Sequence, residues 1–236
     1  MVRYSGLKKK RGMIMKLILA SQGFWTDDIA KAVSKLVDKS LKEINIAVIN
    51  EGYVGIAGNE DKRWMINELS KMSNYIGGRI DFVNIRAYDK NEIEERLSQA
   101  DLIYIVGGKQ FILPNLFKQT GVDEILKELA KEKVIMGTSA GAMILGKHVE
   151  SDEYWKRRYG VTRENIINKE GGLVNFNIIP HYLRYDRKEW DSKYYTEVLK
   201  DNPFPVYAVT DEQAMIYDNG NIYCVGGEPV IYGKGV

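Results

Sequence analysis

Val134-Ile135-Met136-Gly137-Thr138-Ser139-Ala140-Gly141-Ala142-Met143 is an apolar run that passes through Gly-x-Ser-x-Gly into residues that favour a helix. Read as a buried strand, a sharp turn and a helix, it is the setting of a nucleophile elbow. A serine on so tight a turn is crowded by its neighbours. Glycines two positions to either side relieve that crowding and leave the hydroxyl exposed above the strand ends. The amide of Ala140, first in the expected helix, then points where negative charge would develop on an attacked carbonyl. The five-residue pattern alone recurs in many unrelated chains; the strand before it and the helix after it make it specific. A second strand, ending in Ile105-Val106-Gly107-Gly108, offers a further amide donor at Gly108.

Around the elbow, short apolar runs rich in β-branched residues alternate with amphipathic stretches, the sequence form of a parallel sheet with crossover helices. Strands are predicted over residues 16–20, 44–50, 79–85, 102–106 and 134–137, and helices over 27–40, 61–75, 91–100 and 122–131. Thr26 is the expected cap of the first helix, with Asp27 and Asp28 in its first turn. Residues 147–169 are polar, aromatic and basic without a period and read as an irregular excursion. A strand over 173–179, a helix over 187–200 and a strand over 206–210 are expected to bring the chain back to the sheet. Asp218-Asn219-Gly220 then turns a terminal β-hairpin. The expected fold is α/β: three layers, a mostly parallel sheet flanked by helices, with a nucleophile elbow and a C-terminal β-hairpin.

The chain has 236 residues, 44% of them hydrophobic and 28% charged, which suits one domain with a sizeable core. Residues 1–14 read as an N-terminal extension, expected to be disordered, and 15–236 as a single α/β domain. Lys8, Lys9, Lys10 and Arg11 precede an apolar stretch much as in a signal peptide, but Lys16 interrupts that stretch, which reads better as the first strand. A net charge of +2 gives no field that would draw nucleic acid or an anionic membrane. One cysteine, Cys224, excludes an internal disulfide and points to a reducing, cytoplasmic setting. Tyr154-Trp155-Lys156-Arg157-Arg158-Tyr159 mixes bases and rings as single-strand binders do, yet fits a segment lining a site equally well.

A serine needs a base, and the chain has two histidines. His148, nine residues past Ser139, would lie ~13 Å away along a helix. His181 follows an apolar strand and Pro180, at a strand end where functional groups of open α/β sheets gather. The carboxylate that would orient it is expected to be Glu212, beside Asp211 at another strand end, with Asp152 and Glu153 as rivals after the elbow helix.

Gly107-Gly108, Gly137-Thr138-Ser139-Ala140-Gly141-Ala142, Pro180-His181 and Asp211-Glu212-x-Ala214, in that order, resemble the peptidase E and cyanophycinase family of serine peptidases. The resemblance runs from Met15 onward. It implies a fold similar to class I glutamine amidotransferases, no metal and no organic cofactor, with Ser139 as nucleophile, His181 as base and the amides of Gly108 and Ala140 as oxyanion hole. For the acid it implies Glu212 by the cyanophycinase-like pattern or Asp152 by the peptidase E pattern. The implied activity is hydrolysis of short peptides, dipeptides with amino-terminal aspartate first, through an acyl-enzyme on Ser139. Cleavage of β-aspartyl linkages and a non-catalytic binding protein on the same fold are the alternatives. Lys109 stands where an asparagine or aspartate often follows the paired glycines, and Pro180-His181-Tyr182-Leu183-Arg184 lacks the Asp-Gln-His of a cyanophycinase. An acidic substrate needs a cation, for which Arg184, Arg187 and Lys109 are the candidates, with Gln110 beside them. The expected partner is a small peptide substrate, with a homodimer left open and neither nucleic acid nor membrane expected.

Overall fold

The structure is a computed structural model and describes residues 14–53, 61–110, 112–162, 172–184 and 191–234. Five parallel strands run from one edge of a seven-stranded sheet: β1 (Lys16–Ala20), β2 (Ile46–Ile49), β3 (Ile80–Phe82), β4 (Leu102–Ile105) and β5 (Val134–Thr138). The terminal hairpin of β8 (Ala214–Asp218) and β9 (Asn221–Val225) completes it, in the order β3-β2-β4-β5-β1-β8-β9. Ile216 pairs with Tyr223 and Tyr217 with Ile222. Asn219 and Gly220 turn the hairpin at φ 50° and 90°, the positive values that this two-residue turn demands.

Alternation along each strand sends side chains to opposite faces, so one sheet feeds two apolar layers. Leu17, Leu19, Ile103, Ile105 and Ile135 face α3 (Lys90–Ser98), α4 (Ile112–Thr120) and α5 (Val122–Leu129), which contribute Ile93, Leu97, Phe117 and Leu126. Ile18, Leu102, Tyr104 and Met136 face the other way, against Ile29 and Val33 of α1 (Asp27–Val37) and Met72 of α2 (Arg63–Tyr75). Each fully buried aliphatic side chain contributes about 1.5–3 kcal/mol, so these two layers dominate stability. Thr26 caps α1 by accepting from the Ile29 amide, and Asp89 caps α3 in the same way from Glu92.

Two expectations are corrected. The strands read over residues 173–179 and 206–210 do not rejoin the main sheet. They shorten to β6 (Asn177–Ile179) and β7 (Val206–Ala208) and form a separate three-stranded sheet with β10 (Val230–Tyr232), ordered β10-β7-β6. The reason is occupancy: β8 pairs antiparallel with β1 along its whole length, so no free edge remains beside β1. The irregular stretch after the elbow contains a capped helix, α7 (Asp152–Tyr159), begun by the Ser151 side chain accepting from Tyr154 and ended by Gly160 at φ 66°. The helix expected over 187–200 is described from Ser192 to Leu199 as α8. Among the described residues no helix is long and apolar enough to cross a membrane.

Candidate active site

Ser139 sits between β5 and the short helix α6 (Ala140–Met143) with φ 51° and ψ −117°, a conformation that L-residues seldom hold. Packing explains how it is held. A Cβ on Gly137 would stand 2.3 Å from the Gly141 carbonyl oxygen, and one on Gly141 2.2 Å from that of Ile105. Only hydrogen fits at either place, so both glycines of the motif are fixed by close approach of backbone to backbone. Gly107 and Gly108 run alongside; at Gly108 φ is 128° and a Cβ would lie 1.8 Å from the Gly52 carbonyl oxygen. Gly108 and Ser139 line one cavity, and Ala140 follows as the first residue of α6.

His181, just past β6, is 7% exposed, and both its ring nitrogens are engaged. Nε2 lies 2.9 Å from Ser139 Oγ, and Nδ1 lies 2.6 Å from Asp211 Oδ1. An ionised carboxylate can only accept, so Nδ1 carries the proton and Nε2 is left to accept from the serine hydroxyl. The carboxylate that meets His181 is thus that of Asp211. Glu212, the residue expected, is exposed, and its rival Asp152 is exposed in the first turn of α7, whereas Nδ1 is taken by Asp211. The turn after β7 decides between the adjacent acids. The Gln213 amide donates to the Thr210 carbonyl at 3.0 Å while the Gln213 side chain accepts from the Thr210 amide at 2.8 Å, and this tight turn presents Asp211 inward.

Ser21, directly after β1, ties the base and the acid together. Its hydroxyl donates to Asp211 Oδ1 at 2.9 Å and accepts from the His181 amide at 2.7 Å. Burial works against charge on Asp211, but the hydrogen bond and charge of His181, the Ser21 hydroxyl and Arg184 outweigh it and lower its pKa below the ordinary carboxylate value. His148 is elsewhere, buried against Trp155 at a ring separation of 5.9 Å.

The cavity over Ser139 has a volume of about 600 Å³. Arg184 lines it, its guanidinium 3.4 Å from His181 Nδ1, as do Lys109 and Gln110. Gln110 is buried and accepts from the Tyr159 hydroxyl at 2.7 Å. Arg187 lies outside the described residues. Four further lining residues carry a charge or a ring: Arg158 and Tyr159 from α7, and Trp64 and Glu68 from α2, the last two of which the sequence did not single out. The Arg158 guanidinium lies 5.8, 5.6 and 5.8 Å from the rings of Tyr154, Tyr159 and Tyr195, and donates to the Tyr195 hydroxyl. The basic and aromatic cluster read from the sequence is thus, in part, a wall of this cavity.

The family model of peptidase family S51 matches residues 17–225. An uncharacterized peptidase of Listeria monocytogenes is 28% identical over 160 residues, covering 66% of this chain and 75% of that protein. Peptidase E of Streptomyces coelicolor is 28% identical over 139 residues, 56% of this chain and 55% of its own length. A crystal structure of a candidate peptidase E protein from Listeria monocytogenes superposes with a TM-score of 0.69 at 22% identity, covering 89% of this chain and 98% of that one. The chain belongs to peptidase family S51 and is a hydrolase of the serine-peptidase type.

Proposed function

We propose that the protein hydrolyses short peptides whose amino-terminal residue is acidic, aspartate first, through an acyl-enzyme on Ser139. The observation that carries this reading is the chain of contacts Asp211–His181–Ser139, at 2.6 and 2.9 Å, at the floor of a cavity that also holds three cations. Ser139 Oγ attacks the carbonyl carbon of the first residue as its proton passes to His181 Nε2. Asp211, kept ionised, stabilises the imidazolium that forms. The amides of Gly108 and Ala140 are assigned to the oxyanion, and the positive φ of both Ser139 and Gly108 supports donors held in place before substrate arrives. Nε2 then returns the proton to the leaving amine, and a water, deprotonated by the same nitrogen, releases the acyl group.

Arg158, Lys109 and Arg184 support the acidic preference, since a carboxylate withdrawn from water needs a positioned cation. Arg158 is the strongest of the three, because its fork is already oriented by a tyrosine hydroxyl and backed by rings. A lone cysteine supports a reducing, cytoplasmic setting. The test is kcat/KM for Asp-Leu, Asn-Leu and Leu-Leu in the parent and in Arg158→Met, Arg184→Ala and Lys109→Ala. The expected result is a preference for Asp-Leu that Arg158→Met reduces by about 30-fold or more, as loss of one partner of a buried charge pair does. Equal rates on all three peptides in the parent would remove the acidic-substrate reading.

A further inference from the structure

The cavity has a negative wall as well as positive ones. Glu68, on the inward face of α2, is 6% exposed and lines the same space as Ser139, His181 and Trp64. Its Oε1 accepts from the Tyr104 hydroxyl of β4 at 3.0 Å. The Tyr53 hydroxyl and the Gly107 amide face it too, and no Lys or Arg among the described residues makes an ion pair with it. Burial pushes its pKa up to about 7, opposed by the two phenols and by the Gly107 amide. A carboxylate in such a place is costly to ionise alone and becomes much less so when a ligand brings the missing positive charge.

In the peptide that the proposed reaction requires, one positive charge is fixed by chemistry. The amino-terminal nitrogen is bonded to the carbon next to the attacked carbonyl, so its ammonium must enter the cavity that holds Ser139. We infer that Glu68 is the residue that recognises this α-ammonium, restricting cleavage to the first peptide bond of chains with a free amino terminus. This assignment rests on the peptidase reading given above. It gives the cavity a division of labour: cations from α7 and from the segments after β4 and β6 take the acidic side chain, while the acid from α2 takes the amine. A substrate bearing both charges then compensates both walls, and a peptide blocked at its amino terminus leaves Glu68 buried with its hydroxyl and amide neighbours but no cation.

The experiment compares Asp-Leu with N-acetyl-Asp-Leu in the parent, Glu68→Gln and Tyr104→Phe. The parent is expected to prefer the free amine by about 100-fold in kcat/KM, the order of a truncated hydrogen-bonded charge pair. Glu68→Gln should bring that ratio below about 10-fold, mainly by raising KM for the free peptide. Tyr104→Phe, which keeps the carboxylate and removes its neighbour, should hold the parent's ratio. A ratio near one in the parent, an unchanged ratio in Glu68→Gln, or an equal fall in Tyr104→Phe would each overturn the assignment. Fluorophosphonate labelling of the parent separates the two levels: a parent labelled on Ser139 but failing these comparisons loses only the role of Glu68, whereas an unlabelled Ser139 removes the reading beneath it as well.

Discussion

Asp211 and Glu68 are two largely buried carboxylates around one serine, and the fold treats them oppositely. Asp211 has His181 at 2.6 Å, Ser21 at 2.9 Å and Arg184 nearby, and its pKa falls below the ordinary value although burial alone would raise it. Glu68 has phenols and one amide but no cation among the described residues, and burial prevails. The lesson is that depth by itself does not decide ionisation; what faces the group does. A carboxylate committed to orienting a histidine is held charged before substrate arrives. A carboxylate committed to a ligand's charge is left short of it.

The sharpest way to break this contrast is at Asp211. Asp211→Asn removes the acceptor that fixes the His181 tautomer and should lower kcat about 1,000-fold or more, while Glu212→Gln, altering an exposed neighbour, should change it by less than about 2-fold. Steady-state kinetics on the same peptide checks both. A large loss in Glu212→Gln with Asp211→Asn intact would reverse the assignment made from the geometry.

A smaller effect separates the two acids by stability rather than by turnover. Asp211, with a lowered pKa, contributes stability that is present above the unfolded-state value and lost as pH falls through the folded one. Glu68 runs the other way: raised from 4.5 to about 7, it binds a proton in the folded chain where the unfolded chain has released one, so its contribution falls as pH rises across that window. At 1.36 kcal/mol per pKa unit this amounts to roughly 2–3 kcal/mol between pH 5 and pH 8. Glu68→Gln, which does not titrate, should therefore gain about that much stability over the parent between those two pH values, read by urea unfolding. A constant difference across the range would mean that Glu68 is not held near neutrality.

How much of this was legible in the sequence follows the same division. The elbow was readable because two glycines and a serine are forced by backbone approaching backbone, which leaves a fixed spacing. The parallel core was readable from short runs of β-branched residues, and the hairpin from Asn219-Gly220. The choice between Asp211 and Glu212 was not, since beyond the end of β7 no strand period says which of two adjacent side chains turns inward; the tight turn over Thr210–Gln213 decides it. Ser21 carried no signal at all, being a lone serine after a strand. Glu68 reads as one more polar residue of an amphipathic helix until Tyr104, from a strand far away in sequence, is seen to meet it. Arg158 was noticed for its aromatic neighbours, but its place in the cavity depends on α7, whose short capped turns lack a hydrophobic period strong enough to predict. The second sheet was missed because the hairpin's claim on the edge of β1 is a competition between distant segments.

In the proposed mechanism Ser139 is a nucleophile activated by His181 and Asp211. Its most direct test is to react the folded protein with a fluorophosphonate and locate the adduct by peptide mass spectrometry. A single adduct on Ser139 is expected in the parent, formed much more slowly in His181→Ala and in Asp211→Asn and at the parent's rate in His148→Ala. A parent in which Ser139 stays unmodified, or in which His181→Ala labels as fast as the parent, would contradict it.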